Sequence, residues 1–276
     1  MAKIGVESTY ESPDPNRLGA QLTSALVPGK PALGGMIIEQ LRPSLVKLYR
    51  MAGFDFIYLE TEHVLFEPSR LTDFILAARD HDMPVVAKVP DLQRPWVAFL
   101  LDAGVTGIQL PRTESRDQLL QLRDWMRFPP VGTRAGAPCY GNVDYAWPTD
   151  HAAWLRGADA GTLLVAHIET QRGYDNFAEI VSTPDLGMVY VGPYDFSIAV
   201  GHPGDYDHPL VRERMVKMAA QCRAHHVPFG TTPSGVEGAA FWAAHGASFF
   251  EACDEMTFIQ RGAEELVASW RTRIGY

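Results

Sequence analysis

The chain lacks the marks of several large protein classes. It has three cysteines, Cys139, Cys222 and Cys253, odd in number and widely spaced. That fits neither a disulfide framework nor a zinc-ligand spacing, and it points to the reducing cytoplasm. No apolar run is long enough to span a bilayer, and the start Met1-Ala-Lys-Ile-Gly has no basic region followed by an apolar one, so no membrane partner is expected. Basic residues are outnumbered, 24 Lys and Arg against 33 Asp and Glu, and the net charge of −9 offers no cationic footprint for nucleic acid. A G-x-G-x-x-G turn is also missing, and with it the mark of a doubly wound dinucleotide-binding sheet.

What is present is a regular alternation of short apolar runs and amphipathic segments. Strands are expected at 32–38, 56–59, 85–89, 107–110, 163–168, 188–191, 228–230 and 248–251. Helices are expected between them, at 42–52, 68–81, 95–103, 116–126, 174–181, 209–225, 236–245 and 256–273. Eight such units in 276 residues predict one (β/α)8 barrel over 31–276, since that fold typically takes about 250 residues. Residues 1–30, rich in Pro, Ser and Asp, read as a lead-in arm or lid. The stretch 128–155 breaks the rhythm, and a connection of that length is expected to cover the barrel mouth.

The most informative pair is Glu169 and Asp195. Each follows the carboxyl end of an apolar run, where barrel side chains converge on one mouth and carry the chemistry. Two anions placed together share a proton or a hard divalent cation, with Mg2+ or Mn2+ the leading candidates and Co2+ another. The bland alternative is that each acid caps its following helix.

The motifs together resemble the HpcH/HpaI aldolases, metal-dependent class II enzymes that make or cleave 4-hydroxy-2-oxo acids by way of a pyruvate enolate. The matching pieces are Asn16-Arg-Leu, Gly29-Lys-Pro-Ala-Leu-Gly, Ala52-Gly-Phe-Asp-Phe, Glu60-Thr-Glu-His63, Leu101-Asp-Ala-Gly-Val-Thr-Gly-Ile, Phe128-Pro-Pro-Val-Gly-Thr-Arg134, Ile168-Glu-Thr and Val191-Gly-Pro-Tyr-Asp-Phe-Ser197. The resemblance implies metal ligands at Glu169 and Asp195, a catalytic base at His63 and a tuning aspartate at Asp102. It also implies a homo-oligomer, often a hexamer with sites at subunit boundaries, acting on an oxo acid and an aldehyde. Arg134 in the matching loop either positions a substrate carboxylate or braces the loop.

The chain departs from this pattern around the substrate. Lys88 stands where relatives carry an arginine, so a bidentate hold on a carboxylate is lost. His167 replaces a glutamine, Glu60 an aspartate, and Tyr194 a small residue before the ligand aspartate. These changes imply a subfamily with its own substrate, or a coupled repacking in which Glu60, Lys88 and His167 trade hydrogen bonds. Three other functions stay open: a Schiff-base aldolase using Lys88, a lyase of acyl-CoA esters, and a silent metabolite-binding barrel. The turn Gly230–Gly235 and the pair His225-His226 are read as structural.

Overall fold

The structure, a computed structural model, describes residues 13–275. Residues 1–12 of the expected arm lie outside the described residues. Eight parallel strands close into a barrel in chain order: β1 (Ala32–Ile37), β2 (Phe56–Glu60), β3 (Val85–Lys88), β4 (Gly107–Leu110), β5 (Leu163–Ile168), β6 (Leu186–Val191), β7 (Phe229–Thr231) and β8 (Phe249–Asp254). At least one helix follows every strand, so a (β/α)8 barrel is what forms.

Local chemistry sets many helix boundaries. Proline, which has no N–H to leave unpaired and a φ suited to a first turn, opens Pro43–Ala52, Pro68–Asp80 and Pro209–Ala224. Gly53 and Gly104, at φ of 92° and 106°, end Pro43–Ala52 and Arg94–Ala103 in the left-handed conformation that glycine adopts without strain.

Side chains alternate across each strand, and inside the barrel that alternation builds a gradient. The floor is apolar: Phe56, Tyr58, Val86, Leu163, Val165, Met188, Tyr190 and Phe249 form one cluster. Glycines make room for its rings, since a Cβ on Gly34 would lie 2.3 Å from the Phe56 ring and one on Gly230 2.4 Å from that of Phe249. Two residues further along the same strands come Glu60, Lys88, His167 and Glu251, all buried. A polar layer therefore sits directly above an apolar one. The outward strand faces pack on the surrounding helices in a second, larger cluster.

The helix Arg17–Ala25 belongs to the amino-terminal end, where Leu22 and Leu26 join the floor cluster. Residues 128–155 lie at that end too, against the expectation that they cover the mouth. A segment leading from a helix (Arg116–Met126) into a strand (β5) must return to the rim where strands begin. Gly141 accordingly lies against Ala103 and Gly104, just ahead of β4. Part of this stretch is an unforeseen helix, His151–Gly161; its Ala and Gly residues give little apolar periodicity, and only Trp154 is buried. The expected helix at 174–181 is instead two short ones, Gln171–Asp175 and Phe177–Ile180.

The last helix, Glu255–Ile274, stands apart. Glu255 is its only buried residue, while Phe258, Ile259, Leu266, Trp270 and Ile274 are exposed. No helix among the described residues is long and apolar enough to cross a membrane.

Candidate active site

Two acids and a lysine meet at the ends of β2 and β3. Lys88 is 5% exposed, and its ammonium lies 2.7 Å from Glu60 Oε2 and 2.7 Å from Glu62 Oε2. The other Glu60 oxygen accepts the backbone N–H groups of Glu62 and His63, which folds the loop after β2 back over the strand end. His63 is mostly exposed, with Nε2 3.5 Å from Glu62 Oε2. Burial works against charge on Lys88, but Glu60 and then Glu62 outweigh it and hold the ammonium above its usual value.

Across the mouth, Glu169 follows β5 and is 5% exposed. Its Oε1 accepts the Arg112 backbone N–H at 2.6 Å, and His167 Nε2 stands 3.0 Å from its Oε2. That ring nitrogen approaches off the line of a good hydrogen bond. Burial would raise the Glu169 carboxyl; the His167 ring, the Arg112 N–H and Lys88 together overcome this and bring it down to about 2. Only glycine fits beside the ring, because a Cβ on Gly192 would come within 2.3 Å of His167 Nε2. The Gly192 N–H donates to Ile168 O at 3.1 Å, tying the segment before Asp195 to the end of β5. Asp195 is exposed in the first turn of Pro193–Ala199, and Tyr194 beside it meets Tyr206 edge to face.

The strand-end rule thus places Glu169, Asp195, Lys88, His167, Tyr194 and His63 at one rim. It does not place Asp102 or Arg134 there. Asp102 lies near the end of Arg94–Ala103, at the opposite rim, and its partners are Arg134 Nη2 at 3.8 Å and Asn142 Nδ2 at 3.5 Å. Within one protomer it does not touch His63. Arg134 is buried in the same flank, its guanidinium 4.6 Å from the Phe128 ring centroid and 3.5 Å from Leu101 O. Arg134 thus packs within its own flank, away from the mouth of the same chain.

Several residues of the mouth were not singled out in the sequence. Arg112, at φ 48°, offers its N–H to Glu169 from the loop after β4, where the strand-end rule points. Tyr58, Gln109, Tyr190 and Glu251 line the barrel below. Their signal is a polar letter at an inward position of an apolar run.

One cluster among the described residues could hold a hard divalent cation. Glu60, Glu62 and His63 offer ligand atoms within 4.8 Å of one another, yet Lys88 already sits as the cation between the two carboxylates. At the same rim Glu169 is buried and held ionised, and Asp195 is open to solvent.

The chain is similar to known proteins in sequence and in fold. A 5-keto-4-deoxy-D-glucarate aldolase of Salmonella arizonae is 24% identical over 229 residues, 83% of this chain and 88% of its own. Among solved structures, an HpcH/HpaI aldolase from Desulfitobacterium hafniense superposes with a TM-score of 0.84 at 22% identity, over 91% of this chain and 95% of its own. The citrate synthase SbnG gives 0.82 at 22% identity, over 94% and 99%. The profile of the HpcH/HpaI aldolase/citrate lyase family matches residues 35–266, and the chain belongs to that family.

Proposed function

We propose that the protein is a divalent-metal-dependent aldolase that interconverts a 4-hydroxy-2-oxo acid with pyruvate or hydroxypyruvate and an aldehyde. The carrying observation is Glu169, a buried acid kept ionised at the strand-end rim, with Asp195 opening the adjoining helix. Relatives named as aldolases of a keto-deoxy sugar acid support an oxo acid as substrate. A cation on Glu169 and Asp195, Mg2+, Mn2+ or Co2+, would act as a Lewis acid toward the keto and carboxylate oxygens.

In cleavage the C4 hydroxyl gives up its proton, the C3–C4 bond breaks, and the electron pair remains as a pyruvate enolate that is protonated at C3. His63, exposed at the rim, is the base for the hydroxyl proton. Lys88 supplies the positive charge that relatives draw from arginine, and Glu60 and Glu62 keep it an ammonium. An ammonium cannot attack a carbonyl, which counts against the Schiff-base route. His167 and Tyr194 stand where they can contact the donor. Asp102 can tune His63 only across a boundary between two copies, since the two lie at opposite rims of one chain. The exposed apolar residues of Glu255–Ile274 supply a face for such a homo-oligomer.

The test is a panel of aldehydes with pyruvate and hydroxypyruvate under added Mg2+, Mn2+ or Co2+, and under EDTA. Condensation that EDTA stops and divalent cation restores is expected. Absence of turnover with every pair would leave the silent barrel as the better account.

A further inference from the structure

The amino-terminal rim holds a cavity of about 240 Å³ between the end of the helix Pro209–Ala224 and the segments that lead into β1, β7 and β8. Leu26, Pro28, Ala219, Val227 and Phe229 give it an apolar wall. Its ionisable lining is Arg223 and His226, both exposed, and no carboxylate of the described residues pairs with either. In a chain with 33 acidic residues against 24 basic ones, a cavity with an arginine and no acid in its lining favours an anion.

A buried group points the same way. Ser248 lines the cavity and is 1% exposed, yet its Oγ has no hydrogen-bond partner among the described residues. Its backbone groups are committed, the N–H to Phe229 O at 2.8 Å and the carbonyl to the Ala32 N–H at 3.0 Å, so the hydroxyl is what remains unpaired. A buried hydroxyl without a partner costs free energy that an acceptor in the cavity would recover. Arg223 is near: a Cβ on Gly246 would lie 3.9 Å from its Nη1, which puts the guanidinium over the turn two residues before Ser248. The arginine alone has a plainer explanation, since a cation suits the last turn of a helix. That explains neither the apolar hollow beside it nor the unpaired hydroxyl.

We propose that this cavity is a second small-molecule site, for a monocarboxylic acid with an apolar body. The Arg223 guanidinium and the Ser248 hydroxyl donate to the carboxylate, a ring N–H of His226 is a third donor, and the body lies against Leu26 and Phe229. At the ~30 Å³ that each water takes in the liquid, the cavity has room for about eight non-hydrogen atoms, the size of a small branched acid or of benzoate. Inorganic phosphate is a poor occupant, because the apolar wall would leave its oxygens without partners. Leu26 also belongs to the floor cluster of the barrel, so a bound acid ties the segment after the helix Arg17–Ala25 to the end of Pro209–Ala224 and stabilises the fold.

Binding can be read without any assay of turnover, which separates this proposal from the aldolase reading. The full chain in EDTA, which keeps any cation off the mouth, is titrated with 3-methylbutanoate, benzoate, benzamide and inorganic phosphate, and followed by saturation-transfer NMR and by melting temperature. Both acids should bind and raise the melting temperature, and benzamide and phosphate should bind about tenfold more weakly or worse. Arg223→Gln, a change at an exposed side chain, should weaken the acids about tenfold or more, the usual loss for a hydrogen bond to a charged group. Ser248→Ala should weaken them less and leave the ligand-free protein as stable or more so, because an unpaired hydroxyl is removed. Acids that bind Arg223→Gln as well as the native protein, an amide or a phosphate that binds as well as the acids, or no acid binding at millimolar concentration would each overturn the proposal.

Discussion

The two ends of this barrel treat charge in opposite ways. At the amino-terminal rim, ions are matched: Arg79 grips Asp144 at 2.6 and 2.9 Å and also donates to Gly104 O and Pro15 O. Arg17 adds bonds to Asp144, Asp82 and Arg79 O. At the carboxyl-terminal rim, Glu60 and Glu62 share one ammonium, Glu169 leans on a ring nitrogen and a backbone N–H, and Glu251 below has neither oxygen paired. At the first end this network braces the fold, although Arg134 Nε and Asn142 Oδ1 nearby are buried without partners. The other keeps polar groups in reserve, which is where a barrel is expected to carry its reaction.

The largest effect that would sharpen this contrast is loss of the base. His63→Ala is expected to lower kcat by about 10²- to 10⁴-fold, the usual contribution of a positioned general base. Thermal stability should hardly change, because the side chain is mostly exposed. Steady-state kinetics beside a melting curve checks both halves, and near-normal turnover would put the base elsewhere.

Arg79→Ala is the mirror experiment at the other rim. It leaves Asp144 with Arg17 alone and should cost about 3 kcal/mol of stability, the lower end for removal of one partner of a buried pair. Below its lowered melting point, kcat per folded molecule should stay native. Denaturant titration gives the first number; a collapse in kcat without loss of stability would erase the distinction between the two ends.

Lys88 tests the border of the contrast, since it is both paired and at the mouth. Lys88→Ala leaves Glu60 and Glu62 facing each other and should damage activity and stability together. Lys88→Arg should retain turnover. Borohydride added with an oxo acid should leave no mass on Lys88; an adduct there, with turnover that survives EDTA, would restore the Schiff-base route.

The mildest effect is on stability against pH. Burial holds the Glu251 carboxyl well above its ordinary 4.5, so the unfolded chain releases a proton that the folded protein keeps. Stability linked to this group is therefore fully present below the ordinary value and declines as pH rises from there toward the folded value. Glu251→Gln should make the melting temperature flatter between pH 5 and 8, by a gain at the upper end. A mutant whose melting temperature tracks the native one across that range would show that Glu251 ionises normally.

Much of the fold was legible because β-branched and apolar runs, proline and glycine act locally: each of the eight expected strands overlaps an observed one. Strand ends then put Glu169, Asp195 and Lys88 at one rim without any further information. What failed was whatever depends on which rim a long connection returns to. Residues 128–155 were assigned to the mouth by their length, although the order helix, loop, strand already places them at the other end. Arg134 lies in that stretch, and Asp102 sits two residues before the turn at Gly104 at that same end. The inner layer of Tyr58, Gln109 and Glu251 was hidden for another reason. A single polar residue in an apolar strand has meaning only once its inward neighbours on other strands are known.

The most direct measurement of the central claim is calorimetric titration of the chelator-treated protein with Mn2+ or Mg2+, compared with Glu169→Gln, Asp195→Asn and Glu62→Gln. The account predicts one cation bound per chain in the native protein, binding lost in the first two variants with folding intact, and binding retained in Glu62→Gln, where Lys88 already serves as the cation. Unchanged affinity in both Glu169→Gln and Asp195→Asn, with loss in Glu62→Gln, would move the metal to the Glu60, Glu62 and His63 cluster and contradict the assignment.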